Sequence, residues 1–171
     1  LSQYYDRVTE LSERSDELLG VPTGLVDLDK VLGGMQRSDL LIIAGRPATG
    51  KTGFLLTVAK NAAQKHQKHV AFFSLEMSNE QLVQRLIAQE TRINAQKLRL
   101  GELEQDEWPL FTHAIEVLGD TKIFLDDTPA LTPIQMRTKC RRLHLEYHLD
   151  LIIVDYLQLM SGETRNDNRV Q

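Results

Sequence analysis

The stretch that most constrains this chain is Leu40 to Gly53, LLIIAGRPATGKTG. It opens with the apolar run Leu40-Leu41-Ile42-Ile43-Ala44, which reads as a buried strand. Gly45-Arg46-Pro47-Ala48-Thr49-Gly50-Lys51-Thr52 then matches G-x-x-x-x-G-K-[ST] at every fixed position. A helical pattern follows, with Phe54, Leu55, Val58, Ala59 and Ala62 at helical spacing. Strand, glycine loop and helix is the setting a phosphate-binding loop requires. The glycines let the backbone turn tightly and bring N–H groups against phosphate oxygens. The helix N-terminus adds the positive end of its dipole. In this reading Gly45 to Thr52 bind nucleotide, Lys51 sets a point charge on the β- and γ-phosphates, and Thr52 is a magnesium ligand. A chance glycine turn before a helix is the competing reading, and the flanking strand and helix argue against it.

The 171 residues suit one domain of ordinary size, and at 42% hydrophobic the chain can bury a core. The net charge of −4 gives no global basic field, so any DNA contact must be local or made by an assembled ring. One cysteine, Cys140, rules out an internal disulfide and fits a reducing cytoplasm. No apolar run approaches membrane-spanning length. The chain starts at Leu1 and stops at Gln171 in mid-pattern, so it reads as a piece of a longer protein.

Leu1 to Leu19 carries Leu1, Tyr4, Tyr5, Val8, Leu11 and Leu18 at helical spacing, an amphipathic helix set off by Gly20-Val21-Pro22-Thr23-Gly24. Its stripe either packs on its own domain or docks on a neighbouring subunit. Thr23 can cap a short helix with Leu25, Leu28, Val31 and Leu32 on one face, ended by Gly33-Gly34. Val70 to Leu75 is a second strand, and Ser78-Asn79-Glu80-Gln81 a capping box that opens a helix. Asn94 caps a further short helix. Trp108, Leu110, Phe111, Ala114, Ile115 and Leu118 form another stripe, with Trp108 read as a core anchor. Lys122 to Asp127 is a third strand. Thr132-Pro133-Ile134-Gln135 opens a helix whose Arg137, Lys139, Arg141 and Arg142 read as a solvated face. Leu149 to Asp155 is a fourth strand. Strands that are continuous apolar runs, alternating with helices, predict an α/β fold: a mainly parallel sheet covered by helices on both faces.

Asp155 ends the run Leu151-Ile152-Ile153-Val154, at the carboxyl end of a strand, where open α/β sheets bind ligands. There an acid can hold magnesium, directly or through water. Glu76 follows the second strand. It is either the base that activates the attacking water or an acid at a helix entry. The five histidines form no metal-ligand spacing, and Cys140 has no evident base partner.

Three blocks together resemble the bacterial DnaB-type replicative helicases: Ser74-Leu75-Glu76-Met77-Ser78, the Gly45 to Thr52 loop, and Asp155-Tyr156-Leu157-Gln158-Leu159-Met160. Pro22-Thr23-Gly24 and Leu32-Gly33-Gly34 resemble the entry to that family's RecA-like domain. The resemblance implies residues 1–19 as a linker helix that docks on the adjacent subunit. It implies residues 20–171 as a RecA-like ATPase domain, incomplete at its C-terminal end. It also implies a homohexameric ring that hydrolyses ATP with Mg2+ and translocates on single-stranded DNA in the cytoplasm, with a primase and a helicase loader as further partners and no membrane. Lys51 and Glu76 would be its catalytic residues, and Thr52 and Asp155 its metal residues. In RecA-like sheets another strand lies between the phosphate-loop strand and the Asp155 strand, so the resemblance also implies a gap in the sheet of this chain. The alternatives are a RecA-like ATPase of a recombinase or regulatory ring that does not unwind DNA, and a catalytically incomplete fragment that binds nucleotide or a subunit.

Overall fold

A computed structural model describes residues 20–161, and the Leu1–Leu19 helix lies outside the described residues. The chain enters through a single antiparallel bridge, where Val21 and Met35 exchange N–H···O bonds of 2.8 and 2.9 Å. Between them runs α1, Val26–Leu32, closed by Gly33 in the left-handed region at φ 68°. Thr23 does not cap this helix in the usual way. Its N–H and hydroxyl both donate to Asp29 Oδ1 at 2.7 Å, and its hydroxyl accepts from Leu25 N. Asp29 is therefore buried while Val31 is 83% exposed, so the predicted apolar face loses Val31. Two hydrogen bonds to one carboxylate oxygen outweigh the burial of one valine.

The long helix α2, Lys51–His66, leads into β1, Val70–Ser74, at the centre of the sheet. Three helices follow: α3, Asn79–Thr91; α4, Ala95–Leu100; and α5, Glu107–Gly119. Then come β2, Ile123–Asp126, helix α6, Pro133–Tyr147, and β3, Leu151–Asp155. The strand order is β2-β1-β3, and both pairings are parallel. Two capping boxes start helices where the sequence places them, at Ser78 for α3 and at Thr132 for α6. Asn94 caps α4 through Gln96 N.

Alternation along β1 sorts the core into two layers. Val70 and Phe72 face Leu56, Ala59 and Ala62 of α2 and Leu82 and Leu86 of α3. Ala71 and Phe73 face Leu131 and Cys140 on the α6 side. All five β1 residues are buried, as the continuous apolar run requires.

Two expectations fail here. Leu40 to Ala44 is not a strand: it lies outside the sheet, with Leu40 82% and Ile42 75% exposed. A strand exists only when a neighbour takes its N–H and C=O groups. No described residue supplies one between this segment and β3, which is the gap the resemblance implies. Trp108 is not a core anchor either. It is half exposed and packs edge-on against Phe111. Helix α5 packs chiefly on α3, so of its stripe only Ala114 is fully buried, with Leu118 against the core.

Candidate nucleotide site

Parallel strands bring their carboxyl ends to one edge. The register sets Ser74 opposite Asp155 and Phe73 opposite Asp126. Helix α2 begins at that edge. Its N-cap, Gly50, sits at φ 90° and offers no side-chain cap, and its first turn contains no acidic residue. A Cβ at Gly50 would meet nothing within 4 Å, so backbone conformation and not space requires glycine there. The uncapped N–H groups of this helix start suit an anion. Gly45 needs glycine for room, because a Cβ there would lie 2.7 Å from Thr49 Oγ1. That hydroxyl donates to the Arg46 carbonyl at 2.7 Å and braces the loop across Pro47 and Ala48, with Ala48 at φ 62°.

Lys51 Nζ donates to the Gly45 carbonyl at 2.9 Å, closing the loop on itself. Thr52 Oγ1 donates to Asp155 Oδ2 at 2.5 Å, although 103 positions separate the two residues. Asp155 is 2% exposed, and the buried carboxylate takes a hydroxyl as its partner. A carboxylate and a hydroxyl oxygen form a hard donor set of the kind magnesium takes, with few protein ligands and the rest from phosphate and water. Among the described residues no group of three or more His, Cys, Asp or Glu could hold a metal by itself.

Glu76 sits just past β1 in a tight turn. Ser74 Oγ donates to the Met77 carbonyl at 2.7 Å and accepts from Met77 N, closing a turn in which Leu75 packs against the core and Glu76 is exposed. Leu75 N donates to the Asp155 carbonyl at 2.8 Å, so the turn and the end of β3 are tied together. The Glu76 side chain is exposed and makes no hydrogen bond or ion pair with a described residue. The structure thus joins Lys51 to Gly45 and Thr52 to Asp155, and leaves Glu76 at the same edge without joining it to them.

Three features were not read from the sequence. Tyr156 places its ring 6.0 Å from Lys51 Nζ. Lys139, expected on a solvated face, binds Asp126 Oδ2 at 2.5 Å and Thr128 Oγ1 at 2.7 Å. Burial raises the Asp126 carboxyl, but hydrogen bonds from Lys139 and Thr128 outweigh it, and the group lies below its ordinary value. Asn79 binds both carboxylate oxygens of Asp127, linking the start of α3 to the segment after β2. None of the three had a sequence signal, since each joins residues on different elements.

A parallel sheet with helices on both faces, and a glycine loop opening a helix at its carboxyl edge, define a RecA-like α/β domain. The chain belongs to the DnaB-like helicase C-terminal domain family, whose model matches residues 20–171. Over its whole length it is 46% identical to the replicative DNA helicase DnaC of Bacillus subtilis (strain 168) and spans 38% of that protein. It is 47% identical to the replicative DNA helicase DnaB of Geobacillus stearothermophilus, again over 38% of the relative. Among solved structures, one described as an ATPase domain superposes with a TM-score of 0.89 at 30% identity, over 98% of this chain and 60% of that one. A DnaB-like replicative helicase described with its interactions with primase gives 0.88 at 28% identity, over 98% of this chain and 41% of that one. Among the described residues no helix is long and apolar enough to cross a membrane.

Proposed function

We propose that this chain is the motor domain of an ATP-driven replicative DNA helicase. In this reading it works in the cytoplasm as a hexameric ring on single-stranded DNA, with primase and a helicase loader as further partners. The observation that carries the nucleotide-hydrolysing part of the reading is the Thr52–Asp155 hydrogen bond of 2.5 Å, which joins the end of the glycine loop to a buried acid 103 positions away; the family match supports the helicase part. ATP would supply the transferable phosphoryl group, and Mg2+ would neutralise charge on its phosphates. The backbone N–H groups of the loop Gly45 to Thr52, Pro47 having none, would receive phosphate oxygens. Lys51 would exchange the Gly45 carbonyl for the β- and γ-phosphates. Thr52 and Asp155 would hold the metal, and Glu76 would accept a proton from the attacking water. Residues 1–19 dock on the adjacent subunit.

The test is ATP hydrolysis with and without single-stranded DNA, together with strand displacement on a forked substrate. Hydrolysis should rise with DNA and drive displacement, and Lys51→Ala should lose tight Mg-nucleotide binding while keeping the fold. Stimulated hydrolysis without displacement would point to a related ATPase ring instead.

A further inference from the structure

Consecutive residues at the start of α2 meet consecutive residues at the end of β3. Thr52 donates to Asp155, and the ammonium of Lys51 lies over the ring of Tyr156 at 6.0 Å. Tyr156 is half-buried and extended, with φ −129° and ψ 156°, and its carbonyl accepts from Leu159 N, which anchors the residue to the turn Leu157–Leu159. No hydrogen bond joins its hydroxyl to a described residue. What Tyr156 offers Lys51 is therefore the face of its ring.

We propose that Tyr156 is a positioning residue for Lys51, its ring supporting the ammonium as it turns from the Gly45 carbonyl to a nucleotide phosphate. This rests on the phosphate-loop reading above. An ammonium has three donors and no acceptor. The Gly45 carbonyl satisfies one of them at 2.9 Å. A carboxylate in the place of the ring would compete with phosphate for the lysine. An aromatic face attracts the cation electrostatically and has no lone pair that must be released. The ring can keep its contact while the hydrogen bond is exchanged. It also helps keep a long, rotamer-rich side chain from spreading into solvent, beside a loop, Gly45 to Gly50, that is itself exposed.

The test titrates Mg-ATP into the full chain carrying Tyr156→Phe, Tyr156→Trp, Tyr156→Leu or Tyr156→Met, with thermal midpoints measured alongside. Phe and Trp keep a ring, and should hold affinity within about twofold of the parent. Leu and Met keep apolar volume without the ring, and should weaken binding by about two- to five-fold, the range of a cation–π contact at a partly exposed site. In a Lys51→Ala background the four substitutions should no longer differ. Equal affinity for Leu, Met and Phe in the parent background would overturn the proposal. So would a loss in Phe as large as in Leu, since the hydroxyl would then be the active group. If Leu fails to fold, Met against Phe decides the matter alone. Unchanged affinity in Lys51→Ala would overturn the phosphate-loop reading itself, and this one with it.

Discussion

Lys51, Thr52, Glu76 and Asp155 differ chiefly in what already engages them. Lys51 has its own loop carbonyl and Thr52 has Asp155, whereas Glu76 has no described partner. In the proposed reading, an exposed carboxylate at the sheet edge with no described partner would be the one available to the attacking water, and that difference sets the expected phenotypes. Glu76→Gln keeps size and hydrogen bonding but removes basicity. Nucleotide affinity should survive while hydrolysis falls by roughly 10²–10⁴, the usual contribution of a positioned base. That is about 2.7–5.4 kcal/mol in the barrier. Asp155→Asn should instead weaken magnesium-dependent binding as well as turnover, since it changes the buried partner of Thr52. Single-turnover hydrolysis and nucleotide titration separate the two. A Glu76→Gln variant with near-parental turnover would leave Glu76 as a helix-entry acid only.

Among the elements, α2 and α3 are held together by charge as well as by apolar packing. Lys60 of α2 donates to Glu90 Oε2 of α3 at 2.9 Å, and Gln64 donates to the other oxygen at 3.0 Å. Both members of the ion pair are largely shielded, at 14% and 20% side-chain exposure. Burial raises the Glu90 carboxyl, but the hydrogen bonds from Lys60 and Gln64, with the charges of Lys60 and His113, bring it below its ordinary value of 4.5. A carboxyl depressed by folding contributes stability above its unfolded value, and loses it as pH falls through its folded value. The pair should therefore stabilise the protein fully at neutral pH, and its contribution should fall away progressively as pH drops from 4.5 through the lower folded value. Glu90→Gln should cost about 1.5–3 kcal/mol at neutral pH, the scale of hydrogen bonds to a charged group. The cost should shrink on acidification. Denaturant unfolding at neutral pH and at about pH 3 checks this. A cost that stays constant would mean the pair contributes only its packing.

At the scale of the whole molecule, no strand among the described residues lies beside β3 on its outer side: Leu40 and Ile42 are 82% and 75% exposed, and Ile152 on β3 is 47% exposed. Ile42→Lys should change the stability of this chain by less than about 0.5 kcal/mol, as for a surface substitution, while reducing the binding of an apolar dye. A loss above about 1.5 kcal/mol, the lower end for burying a large aliphatic side chain, would mean the segment packs in solution. Assembly gives a second prediction. If the stripe of Leu1 to Leu19 docks on a neighbour, Val8→Asp with Leu11→Asp should lower the sedimentation mass and leave the thermal midpoint of the monomer nearly unchanged. A fall in the midpoint of a protein that is already monomeric would place the stripe against its own domain.

What could be read from the sequence is what depends on near neighbours along it. Ser78 and Thr132 build their capping boxes from residues three positions on, Asn94 caps through Gln96, and Gly33 ends α1 at a positive φ that glycine adopts without strain. The apolar runs at Val70 and Leu151 become strands because each finds a parallel partner. The run Leu40 to Ala44 has the same local character and does not, because a ladder of hydrogen bonds belongs to two segments and its partner cannot be read from either one. The glycine loop and Asp155 were legible separately, one as a motif and the other as the acid ending a strand. Their meeting through Thr52, the ring of Tyr156 against Lys51, the capture of Lys139 by Asp126 and the exposure of Trp108 were decided only by tertiary structure. Each depends on where distant elements come to rest, and hydrophobic periodicity along one element cannot register that.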